Sequence, residues 1–249
     1  MMSKYLFTLA FIIAFCFSAQ AQDAKAIIQK MDDKLQGDSN KSEMKMSIVR
    51  PKYTRTIAFK NWSLGRDYFM TYVTSPSKDR GMVSMKYKNE MWSYTPSINR
   101  MIKLPPSMMS QGWMGSDFTN DDLVKEASSV VDYDHKLLSK ETISNKDCYK
   151  IEMIPKPSAA IVWEKVIVWI DIKDFLQLKA EFYDEDGELI NIMNSSEVKE
   201  IGGRKITSKI EMLPIDKKGN STVIIYNNII FNKPINENFF TTRNMKQIK

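Results

Sequence analysis

Histidine is almost missing from this chain: His135 is the only one in 249 residues. A His-based triad or a multi-histidine metal site would have to depend on it, and it sits in an ordinary strand-like run, VDYDHKLL. The spacings G-x-S-x-G, H-E-x-x-H, C-x-x-C and the phosphate-binding P-loop are all absent, which removes the chemistries built on them. Cysteine is equally scarce. Cys16 lies in an N-terminal apolar run and Cys148 stands alone in the remainder, so no internal disulfide is expected there. The alternation of KDCYKIEM puts Cys148 on a strand. No apolar run reaches the ~20 residues of a membrane-spanning helix. Clustered basic charge is missing too. The net charge is +6 without a Lys/Arg block, which reads as a solvated basic surface and not a nucleic-acid interface. A mild attraction to anionic membrane surfaces remains. The sequence therefore predicts a protein that is no enzyme and needs no metal or cofactor.

What is present begins with an export signal. Met1-Met2-Ser3-Lys4 carries one positive charge, an apolar run from Tyr5 to Phe17 follows, and Ser18-Ala19-Gln20-Ala21 supplies a small-x-small site. These are the three parts of a cleavable signal peptide, with cleavage expected after Ala21. Bulky Phe15 precedes Cys16, where a lipoprotein signal wants a small residue, so an acyl anchor on Cys16 is disfavoured. The expectation is a periplasmic, unanchored chain, Gln22–Lys249, forming a single domain with enough length to bury its own core.

That chain opens with a helix. Asp23 can cap it, and Ile27, Ile28, Met31 and Leu35 share one face. After Gly37 the apolar period switches to two, through Met44–Ile48, Tyr53–Trp62 and Tyr68–Thr74. Turns at Asp186-Gly187, Gly202-Gly203 and Lys218-Gly219-Asn220 divide a meander of long strands: Glu188–Ile201, Arg204–Asp216 and Ser221–Phe231. Ile161–Ile170 and Leu176–Tyr183 make a further pair. The acidic run Asp184–Glu188 lacks calcium-loop spacing and reads as one of these turns. Several strands are apolar on both faces, so each face must be covered by a helix, a second sheet or a ligand. Strong curvature around a content is one solution.

Between the strands, Pro105 to Ala127 forms a long loop with Met and Trp in it, then a short helix capped by Thr119 or Asn120, with Asp121-Asp122 in its first turn. Methionine is abundant, at 17 residues. Its flexible thioether suits surfaces that fit partners of variable shape, although it also serves as core filler. Together with two-sided strands it points to a hydrophobic cavity. Met46, Met70, Met85, Trp92, Trp163 and Trp169 are the expected lining. Met108, Met109, Trp113 and Met114 are the expected lid.

The stretch Arg80-Gly81 after Pro76, then Met91-Trp92-x-Tyr94-x-Pro96, and above all Met114-Gly115-Ser116-Asp117-Phe118-Thr119-Asn120-Asp121-Asp122-Leu123, resembles the periplasmic outer-membrane lipoprotein-sorting proteins, LolA/LolB-like. Met82 departs from the Thr common after Arg-Gly in that family. The resemblance implies a mainly β fold with a few helices: a strongly curved antiparallel sheet, an incomplete barrel, closed by helices over an apolar cavity. It implies a monomeric carrier of acylated lipoprotein or another lipid, working between an inner-membrane transporter and an outer-membrane acceptor. Arg50, Arg55 and Arg80 are candidates for the family's gating arginine. A sensor or adaptor acting with a membrane partner is the alternative function.

Overall fold

The computed structural model describes residues 24–125, 129–159 and 161–249. The expected signal, Met1–Ala21, lies outside them. The first element, α1 (residues 24–35), presents the stripe read from the sequence: Ile28 is fully buried, Ile27 nearly so, and Met31 and Leu35 are partly covered.

Thirteen strands follow: β1 Ser39–Arg50, β2 Tyr53–Leu64, β3 Tyr68–Ser75, β4 Val83–Tyr87, β5 Glu90–Thr95, β6 Arg100–Lys103, β7 Tyr133–Ile143, β8 Lys146–Pro155, β9 Lys165–Asp171, β10 Gln177–Tyr183, β11 Leu189–Ile201, β12 Arg204–Pro214 and β13 Ser221–Phe231. They form one antiparallel sheet in the order β6-β5-β4-β3-β2-β1-β13-β12-β11-β10-β9-β8-β7. Each strand pairs with its neighbours in sequence except β6 and β7, and β1 closes onto β13. The open edges are β6 and β7, which are consecutive in the chain. The sheet is a curved, incomplete barrel, and residues 104–122, which follow the β6 edge, lie across the open side.

Turn chemistry sets the hairpins. Gly202 and Gly203 both have positive φ, at 60° and 76°, and join paired Ile201 and Arg204 in a two-residue turn. A side chain at Gly202 would meet the Ile229 carbonyl at 2.4 Å, so only glycine fits. At Asp184–Glu188 the Asp184 carboxylate accepts from the backbone N–H of Asp186 (3.1 Å) and Glu188 (2.9 Å), an Asx turn.

The inner face is covered throughout its middle, and the outer face at two places, while outward residues of β1 such as Lys41, Glu43 and Lys45 are exposed. The inner face carries two clusters that share Phe182 and Met193. One is centred on Met44, Phe59, Trp113 and Ile210; the other packs α1 against β7–β10. On the outer face, residues 235–248 lie across β2–β5. They include α3 (Thr242–Met245) and the fully buried Phe240. Cys148 is fully buried on β8, beside Trp169 in a second outer cluster. The expected strand start at Ile161 is corrected: β9 begins at Lys165, because the Val162 N–H is taken by the Asp121 carboxylate (3.1 Å) instead of a neighbouring strand.

Candidate functional site

Curvature leaves space inside. The larger cavity holds about 260 Å³ between α1, the inner face and the 104–122 crossing, more than the ~150 Å³ of an apolar cavity known to take up benzene. Met31, Phe59, Met153, Trp163, Phe182 and Met212 are among its walls. A second cavity of about 210 Å³ lies between β3–β6 and the loop, lined by Met82, Met91, Met108 and Met114. Trp113 and Thr71 border both. The Trp113 ring meets Phe59 edge-on at 5.6 Å, and its indole N–H donates to Ser84 Oγ (3.1 Å). Trp113 is a partition.

The crossing segment is knitted internally and pinned at two points. The Asn120 amide donates to the Met108 carbonyl (2.9 Å), and the Asp121 N–H to the Met109 carbonyl (2.9 Å). Arg50, at the end of β1, donates to Asp117 Oδ2 (3.0 Å) and to the Gly115 carbonyl (2.8 Å). Asp117 also accepts from Thr222 Oγ1 (2.6 Å). Arg55, on β2, donates to the Met114 carbonyl (3.1 Å) and to Asp79 (2.7 Å). Of the three candidate arginines, Arg50 and Arg55 hold this loop. Arg80 is exposed and donates to the Thr74 carbonyl (3.0 Å).

Beyond the pins, α2 (Asn120–Lys125) starts from a reciprocal cap. Thr119 Oγ1 accepts from the Asp122 N–H (3.0 Å), and Asp122 Oδ2 accepts from the Thr119 N–H (2.7 Å). Asp122 Oδ1 accepts from the Trp163 indole (2.8 Å), which fixes that ring in the cavity wall. Burial raises the Asp122 carboxyl above its ordinary 3.8, only partly offset by the Trp163 and Thr119 hydrogen bonds. A raised folded-state value means the native state binds the proton more tightly than the unfolded chain. Its stability contribution is then present below the ordinary value and lost as pH rises through the folded one. The difference in unfolding free energy between wild type and Asp122→Asn should therefore move in the wild type's favour as pH falls from 7 toward 4. Denaturant titrations along that series check it, and a flat or opposite trend rejects it.

The predicted lining residues divide by face. Trp163 lines the larger cavity; Met108, Trp113 and Met114 line the smaller one. Met109 packs on the inner cluster, and Met46 is buried in it without lining either cavity. Met70, Met85 and Trp92 are corrected: they point outward, under residues 235–248. Trp169 is corrected too, its indole donating to Glu141 on the outer face (2.8 Å). The motif residues serve the frame. A Cβ on Gly81 would lie 3.1 Å from Pro96, Tyr94 donates to Asn99 (3.3 Å), and Ser116 Oγ bonds the Phe118 backbone (3.2 Å). The backbone of Leu123 falls in α2. His135, on β7, places Nε2 2.8 Å from the Ser129 carbonyl. Unforeseen from sequence were the polar wall residues Ser42, Asn61, Thr71 and Lys86; their inward position follows from period two once Met44 and Phe59 are known to face in.

A family model described as "Uncharacterized protein" matches residues 65–247. No curated protein matches the sequence. Three solved structures share the fold. A DUF1329 family protein from Desulfovibrio piger is 23% identical with a TM-score of 0.82, covering 91% of this chain and 99% of that one. An outer membrane lipoprotein-sorting protein domain from Vibrio parahaemolyticus is 22% identical with a TM-score of 0.81, covering 91% and 99%. A LolA superfamily protein from Nitrosomonas europaea is 24% identical with a TM-score of 0.77, covering 88% and 98%.

Proposed function

For a chain that belongs to the family matched over residues 65–247 and has a LolA-like fold, we propose the function of an exported, periplasmic carrier that takes acyl chains of a lipoprotein or another lipid into its inner cavity. The observation that carries this reading is the cavity of about 260 Å³ walled by Met, Phe and Trp under a pinned crossing segment. Burying an acyl chain there gains ~0.8 kcal/mol per CH₂, enough to hold cargo in water without a covalent bond. Release needs the segment at residues 104–122 to move, and Arg50 and Arg55 set how firmly it is held. The signal read at Met1–Ala21 and the likeness to the Vibrio outer membrane lipoprotein-sorting domain support work in the periplasm, between a donor in one membrane and an acceptor in the other.

The test is native mass spectrometry of the protein purified after export, paired with titration of a fluorescent fatty acid. Co-purified lipid, and saturable displacement of it, are expected. Absence of both, with no binding of a diacylated peptide either, would sink the proposal.

A further inference from the structure

The inner face is not uniformly apolar, and its polar residues fall in register. Ser42 on β1 pairs with Asn61 on β2, Asn61 with Thr71 on β3, Thr71 with Ser84 on β4, and Ser84 with Ser93 on β5. This row crosses five strands. It begins in the larger cavity and ends in the smaller one. The row on one side, Met44, Phe59 and Val73, is apolar. On the other side stand Asn40, Ser63, Phe69 and Lys86. The wall thus grades along the strands from thioether and ring, through hydroxyl and amide, to an ammonium.

Such a row is costly inside an apolar wall unless it is hydrogen-bonded. Part of it is: Thr71 donates to Asn61 Oδ1 (2.7 Å), and the Asn61 amide reaches Ser42 Oγ (3.4 Å). Lys86 is buried and donates to the Arg66 carbonyl (2.6 Å). Arg66 itself clasps Asp32 through Nε (3.2 Å) and Nη2 (2.7 Å). An acyl chain alone uses none of these polar groups.

We infer that this graded wall is a subsite for the polar part of the cargo, and that the cargo class is a glycerophospholipid whose phosphate lies beside Lys86 and Arg66. The inference rests on the carrier reading and deepens it. The tails lie against Met44, Phe59 and Met212, the ester carbonyls face the hydroxyl and amide row, and the phosphate meets the cationic end.

Three probes with identical palmitoyl chains test it on the full exported protein: phosphatidylglycerol, diacylglycerol and a dipalmitoylated peptide. Phosphatidylglycerol is expected to bind at least about tenfold tighter than diacylglycerol, the scale of one charge-assisted hydrogen bond. Lys86→Met should erase that preference, bringing the phosphatidylglycerol affinity to within about twofold of the same variant's diacylglycerol affinity, and a preference that survives the substitution overturns the subsite. If Lys86→Met does not fold, Arg66→Gln should reduce the preference instead. Equal affinity of the wild type for phosphatidylglycerol and diacylglycerol overturns the subsite but leaves the carrier standing. Tightest binding of the peptide overturns the phospholipid assignment. Failure to bind any of the three removes the carrier reading itself.

Discussion

Asp117→Ala should lower the unfolding free energy by about 3 kcal/mol, the range seen when one partner of a buried ion pair is removed. The Asp117 side chain is 6% exposed and that of Arg50 15%, so the truncation leaves a poorly hydrated guanidinium without its carboxylate. It also strips Thr222 Oγ1 of its acceptor. The cost stays near the low end because Arg50 keeps the carbonyls of Val49 (2.7 Å), Gly115 and Ser221 (3.3 Å). Asp117→Asn, which retains one acceptor, should cost less. Urea denaturation measures both. The same substitutions loosen the crossing segment, so bound fatty acid should exchange faster at temperatures where the fold is intact. A loss under about 1 kcal/mol, the level of an exposed pair, with unchanged exchange would mean that the Arg50 pin holds nothing in place.

Much of this architecture can be read from residue order. The 3.6 period of Ile27, Ile28, Met31 and Leu35, the two-residue period of β1–β3 and the Gly-marked turns between β11, β12 and β13 all reappear in the structure. These are local rules, and local rules survive folding. What failed was the choice of face. A strand apolar on both sides gives no sign of which side looks inward, because either face can be buried by something distant. Met70 and Met85 face out since residues 235–248 come back across β2–β5, a contact spanning more than 150 residues. Trp163 was expected on a strand and lies before one, because an aspartate from α2 captures its indole. The closure of β1 onto β13 is equally non-local. The block Met114–Leu123 stood out in the sequence, and the structure explains why it holds together: Asp117, Gly115 and Met114 are the points at which Arg50 and Arg55 grip the crossing.

That outer strap makes the second strong expectation. Phe240→Ala should cost about 3–5 kcal/mol, the range for emptying a buried aromatic site. Phe240 is fully buried and packs with Tyr68 (5.4 Å between rings), Phe239 (5.3 Å), Met70 and Met85. Nothing local substitutes for it: α3 has four residues and a single 3-10 turn precedes it, too short to persist without an anchor. Half-buried Phe239, against Trp62 at 5.4 Å, should cost clearly less when truncated. Without the strap, Trp62, Met70, Met85 and Trp92 would form an exposed apolar patch next to the β6 edge, so the variant should also aggregate on heating. Binding is the discriminating measurement. The strap and the cavity lie on opposite faces of the same strands, so Phe240→Ala should leave fatty-acid affinity within about twofold below its melting temperature. A large loss of affinity in the folded variant would mean that the two faces are coupled, and would bring Met70 and Met85 back into the binding mechanism from which their outward orientation removes them.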